Sequence, residues 1–154
     1  MALPPEQAAN LAELGARMAD ATPQAAALGL RFVSVEPGLA VIAVPHRADL
    51  VGDPETGVLA GGVVTTLLDH VCGLAVHSKL LSLGTAGAMA PLDLRIDYMR
   101  AAEPGRDVTA RAHCYHVTHS IAFVRASAFD GDEADPVATV QATFALTPTV
   151  VAAA

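Results

Sequence analysis

The chain has 154 residues, 53% of them hydrophobic, 16% charged and 4% aromatic, with a formal net charge of -7. That length fits one domain with a substantial core, and the acidic balance, with no Lys/Arg run, argues against nucleic acid as a partner. Ala, Val and Leu supply more apolar surface than one subunit readily covers, which points to a homo-oligomer. Cys72 and Cys114 lack a paired-motif spacing and suit reduced thiols in a cytoplasmic protein. The opening MALPPEQ has neither the basic n-region nor the apolar h-region of a secretory signal.

Along the chain, Pro4 and Pro5 open a helix in which Leu11, Leu14 and Met18 form one stripe. Thr22 followed by Pro23 reads as the cap and first position of a second, short helix that ends at Gly29. Residues 31–35 and 39–44 are β-branched and apolar around Glu36-Pro37-Gly38, the pattern of a hairpin. A polar loop covers 46–57, a helix 61–81, and residues 82–87 break the pattern. Strand-like runs follow at 88–100, 107–117, 120–129 and 137–147. Separators such as AAEPG and DGDEADP, rich in Gly, Pro and acids, mark the turns between them.

The chemistry concentrates in residues 58–77, VLAGGVVTTLLDHVCGLAVH. The segment is long enough to cross a bilayer, but Asp69 and His70 at its centre argue against a membrane span. Val63, Val64, Thr65 and Thr66 favour a strand locally, yet some twenty residues without a turn signal are too many for one, so length decides for helix. At about 100° per residue, Leu67, Val71 and Leu74 fall opposite Asp69, while Gly62, Thr65, Thr66, Cys72 and Gly73 share its side. An acid on a stripe of small residues can be approached closely by a ligand or another backbone. Residues 58–62 supply no Ser, Thr, Asp or Asn cap, so the first N–H groups, with Gly61 and Gly62 leaving room before them, stay available to an oxygen that becomes an oxyanion. The alternative is a structural acid bonded to Thr65, to Thr66 or to a partner chain.

The stretches GVLAGGVVTTLLDHVCGLA, LDLRIDYMR at 92–100 and VTHSIAFVRA at 117–126 resemble the PaaI-type hotdog-fold acyl-CoA thioesterases, in order from about Gly29 to Leu146. The resemblance implies an α+β hotdog fold, an antiparallel sheet wrapped around one long central helix, with short N-terminal helices. It implies a single domain over 1–154, with an N-terminal helical segment at 1–29, the hotdog core at 30–147 and a tail at 148–154. It also implies a homodimer with two sites at its interface, or a homotetramer built as a dimer of dimers. The substrate would be an acyl-CoA thioester attacked by water, with no cofactor and no metal. Gly61 would polarise the thioester carbonyl through its N–H, and Asp69 of the neighbouring subunit would act as base or nucleophile. Gly62, Asp53, Ala60, Thr66, Pro91, Arg100, His119 and Ser120 are expected around the substrate. Three positions depart from the family pattern: its His before the glycines is Ala60, its Asn in the preceding loop is Asp53, and its Ser or Thr seven residues before Tyr98 is Pro91.

Arg100, Arg106, His119 and Arg125 are the strand-end cations nearest to offer the phosphates of coenzyme A. HCYHVTH at 113–119 has a ligand-like spacing, but on a regular strand His113 and His119 face one way and His116 the other, which speaks against a chelate. His70 and His77, two helical turns apart, are too distant to share one ion. Cys72 reads as a small buried hydrophobe. No nucleophile elbow, phosphate loop or dinucleotide fingerprint occurs. Two alternatives accompany the thioesterase reading: a non-catalytic acyl-CoA or fatty-acid binding module, and an acyl-CoA hydratase or dehydratase, which Ala60 disfavours because such sites pair a His with an acid.

Overall fold

The computed structural model describes residues 5–20 and 22–150. Pro4, expected at the helix start, and residues 151–154 of the expected tail lie outside them. Helix α1 (Pro5–Asp20) buries Leu11, with Met18 half-buried on the same side. It lies against β1 (Arg31–Glu36) so closely that a side chain at Gly15 would clash with the Phe32 ring. Helix α2 (Pro23–Leu28) starts as its sequence predicts, the Thr22 hydroxyl accepting from the Ala25 N–H at 3.2 Å. It ends at Gly29, whose φ of 68° is the left-handed conformation that glycine adopts without a Cβ clash.

Strand β1 and β2 (Leu39–Val44) form the expected hairpin. The loop at 46–57 contains a short 3₁₀ turn and a small ladder between β3 (Val51–Asp53) and β4 (Val58–Leu59). With two or three residues a side, such strands carry no periodic signal. Helix α3 (Gly61–Ser82) follows, then four long strands: β5 (Thr85–Tyr98), β6 (Val108–Val117), β7 (Ile121–Phe129) and β8 (Ala138–Val150). The six-stranded sheet runs β1-β2-β6-β7-β8-β5, antiparallel throughout.

The sheet wraps α3, which is the hotdog arrangement. Leu67, Leu68, Val71 and Leu74, each at most 1% exposed, pack with Ile42, Val108 and Val124 of the sheet, and each such burial contributes about 2 kcal/mol. Ser78, fully buried, donates to the Ala75 carbonyl at 2.9 Å and accepts from the Gly38 N–H at 3.0 Å, tying the helix to the β1–β2 turn. Among the described residues no helix is long and apolar enough to cross a membrane.

Residues 85–87, expected in the break before the strands, instead open β5, and two further details refine the sequence reading. Cys72 is fully buried, as its reading as a small buried hydrophobe expects, and so leaves the open stripe of small residues beside Asp69. A β-bulge between Cys114 and His116 inserts Tyr115 as an extra residue and breaks the strict alternation. His116 therefore pairs with Phe123 and His113 with Arg125, placing both imidazoles on the outer face of the sheet, while His119 lies beyond the end of β6.

Candidate active site

Asp69 sits midway along α3, half-buried, and lines a cavity of about 390 Å³. The cavity is walled mainly by apolar side chains from four elements: Ile42 of β2, Leu74 of α3, Met89 of β5 and Phe144 of β8. Among the described residues Asp69 has no hydrogen-bond or ion-pair partner, and no fully buried polar side-chain atom is left unpaired. Its carboxylate oxygens therefore reach the cavity. The neighbouring hydroxyls are engaged elsewhere: Thr66 donates to the Gly62 carbonyl at 2.9 Å, and Thr65 to the Gly61 carbonyl at 3.0 Å. The helix turns Gly73 toward the same cavity, which leaves that wall without a side chain.

At the start of α3, Ala60 occupies the cap position, with no side-chain cap. Its N–H is anchored on the Leu50 carbonyl at 2.9 Å, which ties the helix start to the end of the 3₁₀ turn. The N–H groups of Gly61 and Gly62 have no intrahelical acceptor. Neither glycine has a positive φ. A side chain at Gly62 would meet nothing within 4 Å, and the nearest neighbour of one at Gly61 would be the Tyr98 side chain, its hydroxyl at 3.5 Å. The room these two glycines leave thus opens outward rather than serving the subunit's own packing. Tyr98 donates to the Gly61 carbonyl at 3.0 Å and lies 2.6 Å from the Thr65 hydroxyl, pinning the first peptide of the helix.

Gly61 and Asp69 stand on opposite sides of a distance that one reactive carbon cannot span. Eight residues at 1.5 Å rise put them about 12 Å apart along α3, and Gly61 faces a second cavity of about 310 Å³ with Tyr98 and Arg100. Pro91 shares the Asp69 cavity.

The remaining expected contacts divide sharply. Arg100 has its guanidinium committed on every side: to both carboxylate oxygens of Asp130 at 2.6 and 3.0 Å, to the Asp135 carboxylate and carbonyl, and to the Ala101 carbonyl. The pair holds the nearly buried Asp130 carboxyl down at about 2, with the Glu103 N–H helping. Arg100 is thus a clamp between the end of β5 and the 130–135 turn, with all five of its N–H donors engaged. Arg106 pairs with Glu103 at 3.3 Å. Arg125 lies 4.6 Å over the Tyr115 ring. The Asp53 carboxylate closes its own turn, accepting from the Thr56 hydroxyl at 2.8 Å and the Glu55 N–H at 3.0 Å, which lowers its pKa. His119 and Ser120 lie exposed in the β6–β7 turn. Burial pushes the Cys72 thiol well up, with the Asp69 carboxylate adding to it, and raises Cys114 to about 11, so neither is a nucleophile. Among the described residues no group of three or more His, Cys, Asp or Glu side chains is placed to hold a metal.

A family model described as the thioesterase superfamily matches residues 56–137, more than half of the chain and all of α3. The chain belongs to the thioesterase superfamily. It is 30% identical over 119 residues to the medium/long-chain acyl-CoA thioesterase YigI of Salmonella typhimurium, covering 70% of this chain and 75% of that protein. Among solved structures it is similar to a Pseudomonas aeruginosa protein, with 36% identity, a TM-score of 0.78 and coverage of 88% of this chain and 98% of that one. It is also similar to a mutant of the phenylacetic acid degradation protein PaaI from Thermus thermophilus, with 30% identity, a TM-score of 0.69 and coverage of 80% and 98%.

Within this thioesterase fold the sequence reading missed several residues that the structure gathers at the cavity and the helix start. His70 lines the Asp69 cavity and shares a 3.3 Å hydrogen bond with the Thr22 hydroxyl, so the α1–α2 corner closes one side of the site. Met18 and Met89 line it as well. The Leu11–Met18 stripe announced that α1 packs on something, but not that its end reaches the site. Nothing local in the sequence marks Tyr98, whose partner lies 37 residues earlier.

Proposed function

We propose that the protein hydrolyses an acyl-CoA thioester to the free acid and coenzyme A, with Asp69 and the N–H of Gly61 as the reacting and polarising groups. The observation that carries the proposal is the carboxylate of Asp69, without a side-chain partner among the described residues, in the lining of an apolar cavity. A structural acid held within its own subunit would be bonded to Thr65 or Thr66, and both point elsewhere. The carboxylate takes a proton from water as the water adds to the thioester carbon. The tetrahedral oxyanion rests on the N–H at a helix start, and collapse expels the coenzyme A thiolate, which is protonated on leaving. Direct attack by the carboxylate, giving an anhydride that water then opens, uses the same groups.

We further propose a homodimer, itself able to pair into a homotetramer, in which Asp69 of one subunit faces the helix start of the other. The separation of about 12 Å within one α3 supports this. So does the state of β5, a fourteen-residue edge strand with Leu92, Tyr98 and the adjoining Met99 more than half exposed, a length of unpaired edge that proteins normally cover. With Arg100 committed, Arg125 and His119 are the expected cations for the phosphates. The whole chain is taken as one hotdog domain, and the buried, reduced cysteines suit a cytoplasmic protein.

The test is a panel of acyl-CoA esters followed by free thiol release. Thiol release supports hydrolysis; hydration of an enoyl-CoA without thiol points to a hydratase; binding without turnover leaves a carrier module. The last two outcomes overturn the proposal.

A further inference from the structure

We infer that the corner between α1 and α2, through Met18 and Thr22, sets the length of acyl chain that the Asp69 cavity accepts, and that the chain is an unbranched aliphatic one. This rests on the acyl-CoA reading above and names the specificity of that site. Asp69, His70, Gly73 and Leu74 of α3 and Met89 and Pro91 of β5 lie within the segment that the family model matches, whereas Ile42 of β2 and Phe144 of β8 lie outside it. Met18 and Thr22 also lie outside it, and they are the lining residues that come from the N-terminal helical segment.

Both flanks of the corner are anchored. Leu11 is buried, and Gly15 brings α1 onto the Phe32 ring with no room for a side chain. At the other end the Thr22 hydroxyl caps α2 and reaches His70, the residue beside Asp69. Between these two anchors Met18 is half-buried and lines the cavity. Opposite walls set the width: Gly73 withholds a side chain, and the Met89 methyl lies 3.7 Å from where a Cβ at Gly73 would be. Unbranched thioether side chains adapt to a flexible chain, whereas Phe144 is the sole benzene ring lining this cavity among the described residues, and no second one faces it to sandwich a planar acyl group.

The experiment measures kcat/KM by thiol release for saturated acyl-CoA esters from short to long, with an aromatic acyl-CoA alongside, in the wild type and in Met18→Ala, Met18→Phe and Met18→Leu. Met18→Ala should raise the long-to-short ratio about tenfold and Met18→Phe should lower it by a similar factor, since one methylene in such a pocket discriminates by about that much or more. Met18→Leu, which conserves volume, should keep the wild-type ratio and shows that the fold survives substitution. Thr22→Val, which frees the corner from His70, should flatten the preference. Unchanged ratios in active Met18→Ala and Met18→Phe proteins overturn the inference, and a preference for the aromatic ester overturns its aliphatic part. A wild type that releases no thiol from any ester refutes the catalytic reading instead. Displacement of a fluorescent fatty acid by saturated fatty acids of graded length then tests the wall by itself, with Met18→Ala shifting the preferred length or refuting the inference by leaving it in place.

Discussion

Replacing Asp69 by Asn tests the site at its centre, because the structure makes the two readings of this acid diverge in opposite directions. The swap keeps volume and removes only the basic oxygen. With no partner among the described residues to lose, Asp69→Asn should change stability by no more than about 0.5 kcal/mol, as for substitutions that break no contact. Loss of a general base should lower kcat by about 10²- to 10⁴-fold, equal to roughly 3 to 5 kcal/mol in the barrier. A buried structural acid would behave the other way, with a stability change of a few kcal/mol and activity falling only as the folded fraction falls. The assay is thiol release on the best acyl-CoA substrate, paired with urea unfolding and with acyl-CoA binding, which should persist. Activity within a few-fold of wild type refutes the reasoning, as does a loss of activity that unfolding alone accounts for.

Arg100→Ala should destabilise the fold by about 3 kcal/mol in denaturant unfolding, because it leaves the Asp130 carboxylate, 3% exposed, without its partner. The same pair sets an acid limit: the Asp130 pKa is lowered from 3.8 to about 2 on folding, so the unfolded chain binds the proton more readily and stability rises with pH between those values. The contribution, on the order of 2 kcal/mol, is complete above about pH 5 and lost as pH falls through 2; Asp130→Asn should flatten that slope in acid unfolding. Sedimentation should show a dimer or tetramer, and an active monomer would remove the shared site. Ala60→His, restoring a donor beside the helix start, should raise kcat/KM by up to about tenfold with little effect on coenzyme A affinity, the worth of one modest transition-state hydrogen bond; unchanged kinetics would make position 60 a spectator.

What the amino-acid sequence determined by itself was local. The long apolar run without a turn signal, the Thr22-Pro23 start and the Pro37-Gly38 turn act within short stretches of chain, so α3, α2 and the β1–β2 hairpin were legible, and with them the place of Asp69 on α3 and of Gly61 at its first turn. Even there, local pattern faltered where one residue changes the register: the bulge at Tyr115 moves His116 to the outer face. Only the tertiary structure decided which partners the long side chains would find. Arg100 read as a free cation because Asp130 and Asp135 lie 30 and 35 residues on, and a guanidinium satisfied by two carboxylates cannot be told from a bare one by its neighbours in sequence. The cavity beside Asp69 was invisible for the same reason. Its walls come from both ends and the middle of the chain, and their meeting depends on how the sheet curls around α3, a collective result of packing to which no short stretch of sequence corresponds.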